Sequence, residues 1–210
     1  GIHKTYLLRG VTGSGKTEVY MELIAHTVAQ GRQAIVLIPE IALTYQTVMR
    51  FYNRFGDRVS IMNSKLSQGE RFDQFERAKA GDIDIMIGPR SALFTPFPHL
   101  GLIIIDEEHE TSYKSETAPR YHARDVAIER ARMNDASVLL GSATPSVDSY
   151  YQAMQGKYQL LTLSERVEKK PLPDCEVVDL RSELRAGNRS IFSERLQELM
   201  EDRLKKRQQI

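Results

Sequence analysis

The fold of this 210-residue chain is decided near its start, by the stretch Gly10-Val11-Thr12-Gly13-Ser14-Gly15-Lys16-Thr17. This stretch matches the pattern G-x-x-x-x-G-K-[ST], in which glycines bring backbone N–H groups close to phosphate oxygens. The apolar run Thr5–Arg9 precedes it, and the amphipathic segment Lys16–Gln30 follows it. The alternative is an ordinary glycine-rich turn, but the strand–turn–helix context predicts a nucleoside triphosphate site. We expect Lys16 to contact the β- and γ-phosphates and Thr17 to offer a hydroxyl to Mg²⁺.

Composition limits the class of protein without deciding its function. Hydrophobic residues make up 41% and charged residues 27%, which is enough apolar material for a substantial core. The formal net charge of +1 argues neither for nor against a nucleic-acid partner. The single cysteine, Cys175, excludes an internal disulfide and is interpreted as an inert buried thiol. No apolar run approaches the roughly 20 residues that span a bilayer, and no signal peptide is evident, so we expect a soluble intracellular chain.

Short apolar runs alternate with amphipathic segments, which predicts an α/β domain with a largely parallel sheet covered by helices on both faces. The predicted strands are Thr5–Arg9, Gln33–Ile38, Val59–Met62, Ile83–Ile87, Leu102–Ile105 and Val138–Leu140. The predicted helices are Lys16–Gln30, Leu43–Phe55, Gln68–Lys79, Ala123–Met133 and Ser146–Met154. Ser67, with Glu70 three residues later, predicts a capping box at the start of the third helix.

The character of the chain changes after about residue 156. Tyr158–Leu163 and Val177–Leu180 are predicted to be strands, and Arg181–Arg189 is predicted to be a polar loop. The chain then ends in a charged helix with a partial apolar stripe. We therefore predict a nucleotide-binding lobe, its last strands and connector, and the start of a second, truncated lobe: residues 1–156, 157–190 and 191–210.

A second chemical signal follows the apolar run Leu102–Ile105, which leads directly into Asp106 and Glu107. Carboxylates at the end of an apolar strand are typical of the Walker B element of nucleotide hydrolases. Asp106 would hold Mg²⁺ opposite Thr17, and Glu107 would orient and deprotonate the attacking water. The alternative is a surface acidic turn. The glycine-rich turn in the same chain favours the catalytic interpretation.

Three further segments distinguish among nucleotide hydrolases. Asp106-Glu107-Glu108-His109 resembles the D-E-x-H box of superfamily 2 helicases, in which the histidine couples the nucleotide site to the nucleic-acid face. Gly141-Ser142-Ala143-Thr144-Pro145 resembles helicase motif III, a coupling element, and Pro39–Thr44 resembles motif Ia. In motif Ia, donors such as the Thr44 hydroxyl contact DNA phosphates. Each segment follows an apolar strand, at the edge where open α/β sheets bind ligands.

The resemblance extends to one family, the PriA family of primosomal replication-restart helicases. It is carried by Gly10–Tyr20, Pro39–Thr44, Gly88–Pro96 and Tyr121–Asp125 and covers nearly the whole chain. It implies a RecA-like P-loop NTPase three-layer domain. It also implies a bacterial, cytoplasmic, ATP- and Mg²⁺-dependent DNA helicase of 3′→5′ polarity that acts at stalled forks. The implied partners are single-stranded and forked DNA, single-strand-binding protein and primosome proteins, with no membrane.

The same resemblance suggests a DNA-contacting surface. Arg90 and Ser91 fall in the motif Ib region, although Arg90 is equally compatible with a solvated loop position. The segment Glu110–Asp125 is similar to the aromatic-rich loop of the family, in which aromatic rings and cations suit single-strand contact. Some members carry a tryptophan where Pro119 stands here. The residues predicted from this loop are Tyr113, Arg120, Tyr121 and Arg124, and for Tyr121 the alternative is packing under the following helix.

Several parts of the family pattern do not occur in these 210 residues. They are the second lobe with its arginine finger, the zinc-binding cysteines, the N-terminal DNA-binding domain and the adenine-reading glutamine motif. We therefore expect the chain to be part of a longer protein that also holds zinc. The isolated chain should bind nucleotide weakly and unwind DNA negligibly.

Rival functions remain open from the sequence. One is another superfamily 2 translocase, of the RecQ-like or restriction type. A second is a non-hydrolysing ATP-binding switch or scaffold, which would need no base at Glu107. A P-loop kinase is the weakest rival, because it does not explain the Asp-Glu-Glu-His and Ser-Ala-Thr segments.

Overall fold

The computed structural model describes residues 4–167 and 174–209, and its strands and helices alternate along the first of these ranges. The strands are β1 (Thr5–Gly10), β2 (Gln33–Leu37), β3 (Val59–Ile61), β4 (Ile85–Gly88), β5 (Leu100–Ile105), β6 (Ser137–Ser142) and β7 (Gln159–Leu163). The helices are α1 (Lys16–Ala29), α2 (Tyr45–Phe55), α3 (Gln68–Ala80), α4 (Ala123–Met133), α5 (Val147–Met154), α6 (Leu180–Ala186) and α7 (Glu194–Lys205). The chain forms two compact units, Gly1–Lys170 and Pro171–Ile210.

The first unit is built on one seven-stranded sheet in the order β3-β4-β2-β5-β6-β1-β7. Every strand pair in it is parallel. The register pairs Leu37 of β2 with Ile105 of β5, and Arg9 of β1 with Ser142 of β6. The carboxyl ends of these four strands therefore lie side by side, and the residues that follow them meet at one edge of the sheet.

The central strands are buried on both faces, which explains their unbroken apolar sequence. In β5, Ile103 and Ile105 pack in the core on one face, while Leu102 and Ile104 pack in the core on the other. Each such side chain contributes on the order of 1.5–3 kcal/mol when fully buried. The α/β class with a parallel sheet, predicted from the sequence, is confirmed.

The predicted elements before residue 156 are all present, with small differences at their ends. One of them concerns α2, which begins at Tyr45 because the Thr44 side chain accepts a hydrogen bond from the Thr47 N–H and caps the helix. Residues Glu40–Ala42 form a separate short 3₁₀ turn. The strand predicted at Tyr158–Leu163 is confirmed as β7, at the edge of the sheet.

The second unit corrects two predictions. Val177–Leu180 is not a strand, and the predicted loop Arg181–Arg189 is mostly helical, because α6 covers Leu180–Ala186. Asp179 starts this helix by accepting a hydrogen bond from the Arg181 N–H, and Gly187 ends it in the left-handed conformation. Within residues 174–209 there is no strand with which the apolar run Val177–Leu180 could pair. The caps of α6 therefore determine the local structure. Cys175, interpreted as buried, is exposed.

The charged terminal helix predicted from the sequence is confirmed as α7. Its apolar stripe is partly open, since Leu196 and Leu199 are 43% and 40% exposed. The assignment of residues 191–210 to a second lobe stays a prediction. In the described ranges 4–167 and 174–209, none of the helices has the length and apolar character that a membrane crossing requires.

The predicted capping box is present at α3 and provides a stability test. The Ser67 hydroxyl accepts a hydrogen bond from the Glu70 N–H, and the Glu70 carboxylate accepts one from the Ser67 N–H at 2.8 Å. Ser67→Ala should lower the free energy of unfolding by about 1 kcal/mol, because the Glu70 N–H at the helix start loses its hydroxyl acceptor. Urea denaturation followed by circular dichroism measures this, with the exposed Ser112→Ala as the control. Equal unfolding midpoints for the two variants would contradict the prediction.

Candidate functional site

The glycine-rich turn between β1 and α1 has the backbone that an anion site requires. Gly13 and Gly15 have φ angles of 81° and 89°, in the left-handed region where a side chain would be strained. The helix then begins at Lys16, and no side chain in the described part of the chain caps it. The unpaired N–H groups of the first turn, together with the helix dipole, are therefore available to an anion.

Two polar side chains of this turn are suited to a phosphate ligand. The Lys16 ammonium donates to the Gly10 carbonyl oxygen at 2.7 Å, which holds the cation over the turn. The Ser14 hydroxyl is buried without a hydrogen-bond partner among the residues that the structure describes. An unpaired buried hydroxyl is unfavourable in a folded protein, and a ligand rich in acceptor oxygens would satisfy it.

Asp106 follows β5 at the same sheet edge. Burial raises the pKa of Asp106, while a hydrogen bond from Tyr20 and the charge of Lys16 act in the opposite direction. The Tyr20 hydroxyl donates to Asp106 Oδ1 at 2.8 Å. Tyr20 was not predicted as a site residue, although its spacing of four from Lys16 puts both side chains on one face of α1. This spacing is the signal that could have identified it.

Glu107 has an unusual backbone and environment. Its φ of 47° lies in the left-handed region, which is uncommon for a residue other than glycine and is concentrated at functional sites. Burial and the neighbouring charge of Asp106 raise the pKa of Glu107. A half-buried carboxylate with raised proton affinity accepts a proton more readily than a surface glutamate.

The glycine-rich turn and the acidic turn line one cleft of about 660 Å³. Lys16, Thr17, Asp106 and Glu107 are all in its wall, so the sheet brings together the residues predicted for phosphate, metal and water. The complete lining is Thr12, Gly13, Gly15, Lys16, Thr17, Glu18, Arg50, Asp106, Glu107, Arg166 and Val167.

Besides Glu18, which directly follows the glycine-rich turn, three lining residues were missed in the sequence: Arg50 of α2, and Arg166 and Val167 from the segment after β7. The Val167 N–H donates to the Gly13 carbonyl oxygen at 3.1 Å, which joins this segment to the glycine-rich turn. No motif marks these positions, and the folded chain alone brings them to the cleft.

The donors in the cleft fit Mg²⁺ that arrives with phosphates. This ion prefers oxygen ligands and uses one or two protein groups together with substrate phosphates and water. The Thr17 hydroxyl and the Asp106 carboxylate offer that set. No cluster of three or more His, Cys, Asp or Glu side chains within residues 4–167 and 174–209 could hold a metal independently.

His109 and Ser142 form the connection between the acidic turn and β6. His109 Nδ1 lies 2.8 Å from Ser142 Oγ and 3.6 Å from the Glu107 carboxylate. Ser142 is buried and also accepts a hydrogen bond from the Thr144 N–H at 2.9 Å. Ala143 is half-buried and Thr144 is exposed in the same turn. The two segments predicted to couple nucleotide and nucleic acid are therefore in direct contact.

Glu108, which was assigned no role, has the most buried carboxylate of the acidic turn. It accepts hydrogen bonds from the Ser146 N–H at 2.7 Å and the Ser149 hydroxyl at 2.8 Å. Arg124 Nη1 lies 3.8 Å from Glu108 and donates to the Ser149 hydroxyl at 2.8 Å. This network ties the acidic turn to the starts of α4 and α5.

The structure separates the predicted DNA-contacting residues into two groups, and two predictions need correction. The Arg124 side chain is 13% exposed and engaged with Glu108, so it is not a free cation for DNA. Tyr113 is 1% exposed, and its hydroxyl donates to the Asp106 carbonyl oxygen at 2.7 Å. Both side chains stabilise the protein interior, where they are inaccessible to a stacked base.

The accessible group surrounds Tyr121. The Arg90 guanidinium lies 5.5 Å from the Tyr121 ring centre, and the exposed Phe94 ring meets Tyr121 edge-to-face at 5.5 Å. Arg90 also donates to the carbonyl oxygen of Ser112 at 3.0 Å. Phe94 was not predicted as a site residue. Ser91, Arg120 and Thr44 are exposed.

His122 lies between these two groups and caps α4. Its Nδ1 accepts a hydrogen bond from the Arg124 N–H at 3.2 Å. Burial and the positive charge of Arg124 lower the pKa of His122, which favours the neutral ring that can accept this bond.

Comparison with known proteins agrees with these observations. The chain is 52% identical over 207 residues to the replication restart protein PriA of Bacillus subtilis (strain 168). The matched region covers 99% of this chain and 26% of that protein. The chain thus spans about a quarter of the length of this relative. The resemblance to PriA noted in the sequence is confirmed.

Two solved structures share the fold. RecG bound to a three-way DNA junction superimposes with a TM-score of 0.54 at 26% identity, covering 77% of this chain and 21% of RecG. The Hef helicase domain of Pyrococcus furiosus gives a TM-score of 0.56 at 18% identity, covering 80% of this chain and 36% of that one. The RecA-like architecture expected from the motifs is therefore confirmed.

The family assignment follows from a match that includes both turns of the cleft. The sequence profile described as DEAD/DEAH box helicase matches residues 2–153, which contain the glycine-rich turn, the acidic turn and β6. The chain belongs to the DEAD/DEAH box helicase family.

Proposed function

We propose that this chain is the first nucleotide-binding lobe of an ATP-driven DNA helicase. The observation that carries the proposal is the single cleft lined by Lys16, Thr17, Asp106 and Glu107. It combines a cation for the β- and γ-phosphates, oxygen ligands for Mg²⁺ and a carboxylate base, which are the groups that triphosphate hydrolysis requires.

Each group of the cleft has a distinct part in this proposal. The backbone N–H groups of Gly10–Thr17 bind the phosphates, and Lys16 neutralises the outer two. Thr17 and Asp106 would hold Mg²⁺, and the ion would supply Lewis-acid polarisation of the phosphate when bound. Glu107 orients a water and accepts its proton as the water oxygen bonds to phosphorus. The bond from the γ-phosphorus to the bridging oxygen then breaks, leaving ADP and phosphate.

A motor must also report nucleotide state to nucleic acid. We assign this coupling to His109 and the turn Ser142-Ala143-Thr144, because the His109–Ser142 contact at 2.8 Å links the acidic turn to the neighbouring strand. His109 also lies near Glu107, so a shift of the acidic turn on hydrolysis would move Ser142.

We assign DNA contact to the exposed residues at the same sheet edge. Arg90, with Tyr121, supplies a cation and a stacking ring, which suits the backbone and bases of a single strand. Ser91 and Arg120 are accessible in the adjoining segments, and Thr44 offers its hydroxyl at the start of α2.

The biological setting is inferred from the replication restart protein PriA, to which the chain is 52% identical over 207 residues. We propose a bacterial cytoplasmic helicase of 3′→5′ polarity that acts on single-stranded and forked DNA at stalled forks. Single-strand-binding protein and primosome proteins are its proposed partners, and zinc is proposed for the longer protein. Residues 1–156, 157–190 and 191–210 are proposed as the lobe, its connector and the start of the second lobe.

Glu107→Gln tests the hydrolytic part of the proposal. The substitution should reduce DNA-stimulated ATP turnover by at least about a hundredfold, because the water loses its base, while ATP binding is retained. Turnover by the intact protein and binding of ATP by calorimetry are the measurements. Lys16→Ala is the contrasting variant and should weaken binding itself. An unchanged turnover rate for Glu107→Gln would favour the non-hydrolysing scaffold.

The pH profile gives a separate test of Glu107. Because the folded environment raises the pKa of this carboxylate, its base function should be lost at a higher pH than for a free glutamate as the solution is acidified. The acidic limb of the kcat profile should therefore lie above the ordinary glutamate range and disappear in Glu107→Gln. A limb that persists in the variant would assign the titration to another group.

Tyr121→Ala tests the DNA-contacting surface. Loss of the ring should weaken single-stranded DNA binding about tenfold or more, since stacking on one base is worth about 1–3 kcal/mol. Fluorescence anisotropy with a labelled oligonucleotide measures the affinity. Phe72→Ala is the matched control, because Phe72 is an exposed aromatic residue of α3. Equal affinities for both variants would remove Tyr121 from the surface.

A further inference from the structure

Tyr20 is a large polar side chain that the proposed hydrolysis does not yet use. Its side chain is 2% exposed and does not line the cleft, yet its hydroxyl donates at 2.8 Å to Oδ1 of Asp106, which does. Burial, and then the charge of Asp106, raise the pKa of Tyr20, which keeps the phenol protonated and therefore a donor.

The tyrosine reaches the carboxylate because β6 leaves room for it. A Cβ built on Gly141 would lie 1.8 Å from the Tyr20 hydroxyl and 2.8 Å from the ring carbon that bears it. Only a residue without a side chain fits there while the hydroxyl stays on Asp106. Gly141 directly precedes Ser142, so the same contact brings α1 against the strand that leads to the coupling turn.

Asp106 is thus held at two points by two tyrosines. Tyr20 binds its carboxylate, while the Tyr113 hydroxyl binds its backbone carbonyl at 2.7 Å and also reaches the Leu37 carbonyl oxygen at 3.1 Å. A carboxylate that binds a metal in a fixed geometry benefits from such support. With Oδ1 held by Tyr20, the Asp106 side chain is already ordered before the metal binds, and Oδ2 is left to contact the ion.

We propose that Tyr20 is a positioning residue that orients the Asp106 carboxylate for Mg²⁺-nucleotide, with Gly141 as the gap that permits the contact. This inference rests on the proposed function, since it assumes that the cleft binds a Mg²⁺-nucleotide. Lys16 and Tyr20 lie four residues apart on α1, so one helix both binds the phosphates and aligns the metal ligand on β5.

The test compares ADP binding in excess MgCl₂ and in excess EDTA by titration calorimetry of the 210-residue chain. Tyr20→Phe should reduce the gain in affinity that Mg²⁺ confers by about tenfold, while affinity in EDTA stays unchanged. Tyr52→Phe is the matched control and should retain the whole gain, because Tyr52 is a half-buried tyrosine of α2 packed against the same core cluster as Tyr20. A merely structural role would weaken binding equally with and without Mg²⁺ and would overturn the proposal.

The outcomes separate this inference from the proposed function. A wild-type chain whose ADP affinity does not respond to Mg²⁺ would refute the metal-nucleotide site itself. A wild-type response that Tyr20→Phe leaves intact would refute only the positioning role. A selective loss of the Mg²⁺ response in Tyr20→Phe supports it.

A double-mutant cycle tests the gap without nucleotide. Gly141→Ala should lower the unfolding midpoint of the wild-type chain, because the new methyl group clashes with the tyrosine hydroxyl. In the Tyr20→Phe background the same substitution should cost less, since the nearest atom has been removed. Additive effects would show that Gly141 and Tyr20 are not coupled and would overturn this part of the proposal.

Discussion

The structure depends on one half-buried carboxylate at the edge of a parallel sheet. Asp106 directly follows the apolar strand β5, and its charge is tolerated because Tyr20 donates to it and Lys16 lies nearby. A charge in such a place is unfavourable unless it is hydrogen-bonded or paired. Both neighbours belong to α1, so these interactions help to fix α1 against the end of β5, where the cleft lies.

Parallel topology extends this local constraint to the whole edge. Because β2, β5, β6 and β1 are adjacent and parallel, the turns that follow them lie side by side at the sheet edge where Asp106 stands. The acidic turn is then held from three sides. Glu108 binds the start of α5, His109 contacts Ser142, and Tyr113 binds the backbone of Asp106. Movement of one of these turns would therefore displace the others, and coupling between two sites requires contacts of this kind.

The rest of the edge faces outward and has a different chemistry. Arg90 and the rings of Phe94 and Tyr121 are accessible at the surface. Arg124, three residues after Tyr121, is instead engaged with buried Glu108. Tyr121, just before α4, is therefore accessible to a ligand, whereas Arg124, in the first turn of α4, supports the acidic turn through Glu108.

The sequence alone determined the strands and helices of the first unit, the sheet class and the residues of both turns of the cleft, because glycine-rich loops and apolar strands followed by carboxylates are local patterns. It could not distinguish the buried Tyr113 and Arg124 from the accessible Tyr121, since all three lie in one polar, aromatic segment and only their packing differs. The same limit applies to Val177–Leu180, where capping by Asp179 and Gly187 produced a helix. Tyr20 acquires a role only when Gly141, 121 positions later in the chain, is brought against it. Contacts between residues so distant are decided by tertiary structure, because no local pattern encodes which side chains the sheet will bring together.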